Sequence, residues 1–185
     1  MNKLNKKYFS VTETAKLVRV SLEEAFPDIR FTVRPSKHAD STSIHLCWTD
    51  GPTADQVEAL TSVFIGAFFD SMTDQKRYVK ALDKDGKEIQ FGTDFIFYHR
   101  EDSDFAVDAA IRKVCASHQL DQHRINLERF RLGELWSEFD ANGRPVLGLV
   151  GRELDQNSYC TPLPSSTARS YRFFKSENHF WGTAA

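Results

Sequence analysis

Residues 43–48 alternate strictly, with Ile44, Leu46 and Trp48 apolar and Ser43, His45 and Cys47 between them. The run ends in Thr49-Asp50-Gly51-Pro52, and a helical pattern follows at once. A period of two is that of a strand with one buried face. Asp-Gly-Pro supplies turn chemistry, and Thr53-Ala54-Asp55-Gln56 has the form of a capping box. A strand that turns directly into an amphipathic helix confines the chain to folds in which sheet and helix share a core. Val57, Leu60, Phe64 and Ala67 carry the helical face onward, and Val63, Ile65, Phe68 and Phe69 widen it. A central core helix over 54–69 is therefore predicted.

Upstream, Ser10-Val11-Thr12-Glu13 is a second capping box. Val11, Ala15, Val18 and Leu22 then recur at helical spacing until Pro27 ends the helix, predicted over 11–26. Ile29, Phe31 and Val33 alternate with Arg30, Thr32 and Arg34 as a first strand, and 35–42 reads as a polar loop before the second. Downstream, strands are predicted at 77–82 and 88–91, joined by a hairpin at Asp83-Lys84-Asp85-Gly86, and at 95–100. Asp102 or Ser103 caps a third helix with Val107, Ala110, Ile111, Val114 and His118 on one face. Beyond Leu120 the periodicity weakens, and Asn142-Gly143 suggests a hairpin with arms at 135–139 and 146–150.

The predicted fold class is α+β, an antiparallel sheet of 29–34, 43–48 and 95–100 packed against two to three helices, with an α-β-β-α opening. One domain is expected over 1–150. Residues 151–185 are expected to form a loop and an aromatic, basic segment docked on the core.

A length of 185 residues suits that organisation, and fifteen Phe argue for a packed interior. The formal net charge of -2 lacks the broad basic field of a strong nucleic-acid binder and the acidic excess of a DNA mimic. Cys47, Cys115 and Cys160 are odd in number and widely spaced, and residues 1–7 carry charge without an apolar leader core. The longest apolar run, 63–69, is too short to cross a bilayer. A reduced, cytoplasmic protein without membrane insertion is expected.

Tyr8-Phe9-Ser10, Thr14-Ala15-Lys16-Leu17-Val18-Arg19, Ala25-Phe26-Pro27, Phe31-Thr32-Val33-Arg34, Ser43-Ile44 and Trp48-Thr49-Asp50-Gly51-Pro52, with Phe69-Asp70 and Met72-Thr73-Asp74 after them, resemble the large polyvalent-protein-associated domain 29. The likeness covers roughly the first 75 to 100 residues. That family is similar to modules of polyvalent proteins carried by conjugative plasmids and phages, which enter a new host with the invading DNA. The resemblance implies a bacterial mobile element and a role in protecting or establishing it. It brings no catalytic residues.

His45 and Cys47 share a strand face with Asp50 just beyond, a nucleophile and base set in composition only. Neighbours at i and i+2 fit a dyad loosely, and a polar sheet face explains them as well. Asp50-Gly51-Pro52 reads as a turn satisfying backbone amides. Cys115, His118 and His123 lack the further ligands of a zinc site, and Asp83 and Asp85 lack the rest of a calcium loop. No P-loop, GxGxxG, GxSxG or HExxH pattern supports an enzyme. No metal and no cofactor are expected.

Two basic groups stand out as partner-binding or nucleic-acid-binding candidates. Arg30, Arg34, Lys37, His38 and His45 gather around the first two strands, and Arg172 and Lys175 interleave with aromatics near the end. The expected function is a non-enzymatic mobile-element protein that binds a host protein, a defence component among the candidates, as an anti-restriction or anti-CRISPR factor. The alternative is a small nucleic-acid-binding module, and a homodimer is left open.

Overall fold

The computed structural model describes residues 7–70, 72 and 74–173. Three strands form the central mixed sheet: β2 (Thr32–Lys37), β3 (Thr42–Thr49) and β8 (Phe95–Glu101), in the order β2-β3-β8. A second sheet, ordered β1-β7-β6-β9, joins β1 (Lys7–Phe9), β6 (Ala81–Asp83), β7 (Glu88–Phe91) and β9 (Tyr171–Phe173). A pair of strands, β4 (Ala67–Asp70) and β5 (Gln75–Tyr78), makes a separate ribbon. The helices are α1 (Val11–Ala25), α2 (Ala54–Thr61), α3 (Asp104–His118), α4 (Leu127–Arg131), α5 (Val146–Gln156) and α6 (Ser166–Arg169). The class is α+β, and the α-β-β-α order runs through α1, β2, β3 and α2, preceded by the short β1.

The first capping box is formed as predicted. Ser10 Oγ accepts from the Glu13 amide at 3.3 Å, and Glu13 Oε2 accepts from the Ser10 amide at 2.8 Å. Val11, Ala15, Val18, Leu22 and Ala25 of α1 are buried against Ile44, Leu46 and Trp48 of β3. Leu22, Ile44 and Leu46 are wholly enclosed, each stabilising the fold by roughly 1.5–3 kcal/mol.

The strand-to-helix corner explains its own sequence. Asp50 (φ 54°) and Gly51 (φ 66°) are both left-handed, and a Cβ on Gly51 would stand 2.7 Å from Ile29 Cδ1. Trp48 Nε1 donates to the Pro52 carbonyl at 3.0 Å, and Thr53 caps α2 with Gln56.

Several sequence expectations are corrected. β2 and β3 pair antiparallel, but β8 joins β3 in parallel, Leu46 opposite Tyr98, so the central sheet is mixed. The reason lies in the connection: the route from β3 to β8 passes through α2 and the β4–β7 strands, and such a long crossover returns the chain in the same direction. The helix predicted over 54–69 stops at Thr61. A 3-10 turn follows over Ser62–Phe64, and Gly66 brings the chain against Phe91 before β4 begins. The strand predicted at 77–82 divides between β5 and β6, which lie in different sheets. The Asp83-Gly86 hairpin is present, with Asp83 Oδ1 accepting from the Asp85 and Lys87 amides.

Asn142-Gly143 does turn the chain, but only an isolated bridge, Phe139 to Pro145, flanks it. The second arm is the helix α5, whose Val146, Leu149, Val150 and Leu154 bury a helical stripe against Val107, Ile111 and Val114 of α3. The boundary expected at 150 falls inside α5, and the segment expected to begin as a loop at 151 contains the end of α5 and all of α6.

Two side chains fasten this later part to the first core. Arg100, 9% exposed, donates to the carbonyls of Leu154 (2.8 Å), Asn157 (2.9 Å) and Asp50 (3.3 Å). Glu24 of α1 receives the Thr167 amide and the hydroxyls of Ser165, Ser166 and Thr167, all within 3.0 Å. These bonds, the Thr167 amide foremost, lower the Glu24 pKa from 4.5 to about 2. A depressed carboxylate pKa contributes stability that is present above the unfolded value and lost as pH falls through the folded one. Glu24→Gln should therefore melt a few degrees below the wild type at neutral pH. The gap should close between about pH 4.5 and 2 in paired thermal melts, and a gap constant with pH would contradict the latch.

Candidate functional site

The central sheet has one face against α1 and α2 and one face turned outward. Alternation decides which side chains stand on the outer face: Thr32 and Arg34 from β2, His45 and Cys47 from β3, and Phe95, Phe97 and His99 from β8. The inner face holds Val33, Ile44, Leu46, Trp48 and Ile96, with Tyr98 and Thr61 sharing a hydrogen bond at 3.1 Å. Burial there pushes the Tyr98 phenol up to about 12.

Register then builds a row of rings across the outer face. His45 lies opposite Phe97, with centroids 4.9 Å apart. The His45 and His99 rings are parallel at 5.7 Å, and Nδ1 of the first is 3.4 Å from Nε2 of the second. Phe95 and Phe97 stack at 6.1 Å, and each is 43% exposed. Arg34, also exposed, stands directly across from His45 on β2. An exposed aromatic row on a rigid sheet is the kind of contiguous apolar patch that marks an interaction surface.

The row continues at the Phe95 end into a groove of about 260 Å³ lined by Ala67, Phe68, Phe69, Lys76, Asp94 and Phe95 among others. Asp94 is 8% exposed and accepts from the Thr42 amide (2.8 Å), the Thr42 hydroxyl (3.0 Å) and Lys76 Nζ (2.8 Å). This fixes the start of β8 against β3 and neutralises the groove's cation.

Of the residues singled out in the sequence, Arg34 and His45 meet on this face. Lys37 and His38 are exposed at the β2–β3 hairpin, where His38 Nε2 is 3.2 Å from Ser36 Oγ. Arg30 is exposed in the segment before β2. Arg172 belongs to β9 in the other sheet, opposite Leu82, and so does not join the Arg34 group. Lys175 lies outside the described residues.

The trio His45, Cys47 and Asp50 is not assembled. Asp50 turns into the corner, its carboxylate accepting the Ser103 amide at 2.9 Å. The His45 nitrogens reach Ser43 Oγ and His99, and among the described residues no hydrogen bond joins Cys47 to an imidazole. His118 bonds Asp140 at 3.1 Å, and Asp140 is held below the usual carboxylate range, chiefly by the Arg144 amide. Burial raises the Cys115 thiol. Among the described residues no three or more His, Cys, Asp and Glu gather in a group fit to hold a metal ion.

Phe95, Phe97 and His99 carry the face, and sequence reasoning gave them no role. Their signal is their position two apart on one strand, but Ile96, Tyr98 and Arg100 between them are partly apolar too. Only the pairing with β3 shows which set faces out.

A family model described as large polyvalent protein associated domain 29 matches residues 9–106, a span that includes all three strands of the ring-bearing sheet. No curated protein and no solved structure matches the chain.

Proposed function

The chain belongs to the large polyvalent protein associated domain 29 family, a module of mobile genetic elements, and on that premise we propose that it is a non-enzymatic binding protein of such an element. Its partner is a protein of the host cell, a component of a defence system that restricts incoming phage or plasmid DNA. The observation that carries this reading is the exposed ring row of the outer sheet face.

The chemistry of that face favours protein over nucleic acid. Protein interfaces are aromatic at the centre and poor in charge there, with arginine among the frequent anchors. Phe95, Phe97, His45 and His99 beside Arg34 have that composition. Single-stranded nucleic acid needs a cationic track beside its stacking rings. Here Lys76 is already paired with Asp94, and the formal net charge is -2.

The test combines capture and phenotype. The wild-type chain, produced in a restricting bacterial host, should pull down a defence component and raise the efficiency with which phage or plasmid DNA establishes. The double variant Phe95→Ser, Phe97→Ser should lose at least about tenfold of that protection, the scale of one to two anchor contacts. Its melting temperature should stay near that of the wild type. No specific partner together with no effect on restriction would sink the proposal. Gel-shift affinity for single-stranded DNA that falls steeply with salt would replace it with the nucleic-acid reading.

A further inference from the structure

The two edges of the central sheet are built differently. β2 carries Arg34, Pro35 and Lys37, and proline and lysine on an edge strand are the usual devices that block further pairing. The opposite edge is β8, seven residues of Phe-Ile-Phe-Tyr-His-Arg-Glu with no proline, lysine or glycine. Its ladder is made with β3 alone. Among the described residues, no other backbone hydrogen bond reaches residues 95–100. On the side away from β3, every second residue therefore presents a free amide and carbonyl, and a row of seven is long enough to template another strand.

We infer that β8 pairs antiparallel with β8 of a second copy of this chain, about a two-fold axis at Phe97. The sequence is self-complementary in that register. Phe97 faces its own counterpart, Phe95 faces the partner copy's His99, and on the inner side Ile96 faces the partner copy's Tyr98. No like charges are opposed, and ring-to-ring and ring-to-aliphatic pairs are the favourable cross-strand combinations. A closed two-fold pairing consumes both free edges at once, so assembly stops at two. The product is a six-stranded sheet, β2-β3-β8-β8-β3-β2, whose outer face carries two ring rows side by side. The inference stands on the edge strand and does not depend on which host protein that face takes.

The experiment is the solution mass of the full chain by light scattering after size exclusion. A dimer is expected at concentrations on the order of 100 μM. Phe97→Lys and Phe97→Glu, each placing like charges across the axis, should each run as monomers. An equal mixture of the two should return to dimer mass, which a merely misfolded variant would not do. A wild-type monomer, a mass that climbs beyond two copies, or a mixture that stays monomeric would overturn the pairing. So would slow exchange, in a monomer, of those β8 amides that point away from β3, because another segment of the chain would then cover the edge.

Discussion

Gly66→Ala should cost on the order of 4 kcal/mol, a large part of the 5–15 kcal/mol that a domain of this kind has to lose. The added Cβ would lie 1.6 Å from the Phe91 carbonyl oxygen, far inside any contact distance. Neither chain can retreat. The Gly66 amide donates to the Thr93 carbonyl at 2.7 Å, and its own carbonyl accepts from Val79 at 2.8 Å, so the segment is held from both directions. Phe91 in turn packs against Phe9, Phe64 and Tyr171 in the centre of the second sheet. Urea unfolding of the variant should show a midpoint lowered by on the order of 2 M. A loss under about 1 kcal/mol would mean that β4 and β7 do not approach as described.

The second large effect is expected at Arg100. Its guanidinium reaches three carbonyls on two separate parts of the chain, two of them at the end of α5. Arg100→Ala takes the guanidinium from these part-buried carbonyls, of which Leu154 keeps only the Asn157 amide at 3.2 Å, and removes the cation beside Asp102, whose pKa burial already raises. A loss of about 3 kcal/mol is expected, the scale of a buried charge network broken on one side. Arg100→Lys should recover little, because an ammonium cannot span the three acceptors as a planar fork does. Amide exchange should quicken across α5 before it does in β3. A variant that melts like the wild type, or loosens both regions equally, would show that Arg100 does not join the two cores.

The parts of the fold legible in the sequence are those governed by neighbours in the chain. Ser10 with Glu13 and Thr53 with Gln56 act within three residues, and each does what its pattern indicates; Asp50-Gly51-Pro52 turns the chain as its pattern indicates, although the Asp50 carboxylate goes to the distant Ser103 amide. The errors arise where a distant partner decides. Nothing local at 62–69 shows that Phe91 will press against Gly66, and a run of β-branched and aromatic residues fits helix or strand until that contact is known. In 146–154 the helical spacing of Val146, Leu149, Val150 and Leu154 was present in the chain, but the Asn142-Gly143 signal suggested a hairpin. The turn was real, and its second arm was a helix.

The site divides the same way. Arg34 and His45 were legible because alternation put them on the polar side of adjacent strands. Phe95, Phe97 and His99 were not, since their strand has no clear polar phase and its pairing with β3 is set fifty residues away. Arg172 belonged to the basic surface only by composition, and the topology moves it to the other sheet.

The central claim is that the ring row of the outer sheet face meets a host defence protein. A photoreactive amino acid in place of Phe97, irradiated inside a restricting bacterial host, tests that claim most directly. Besides a crosslink between two copies of the chain, it should form one discrete crosslink to a host defence protein, while the same group at the exposed Arg112 of α3 forms none to that protein. Crosslinks equal at both positions, or at Phe97 to nucleic acid alone, would contradict it.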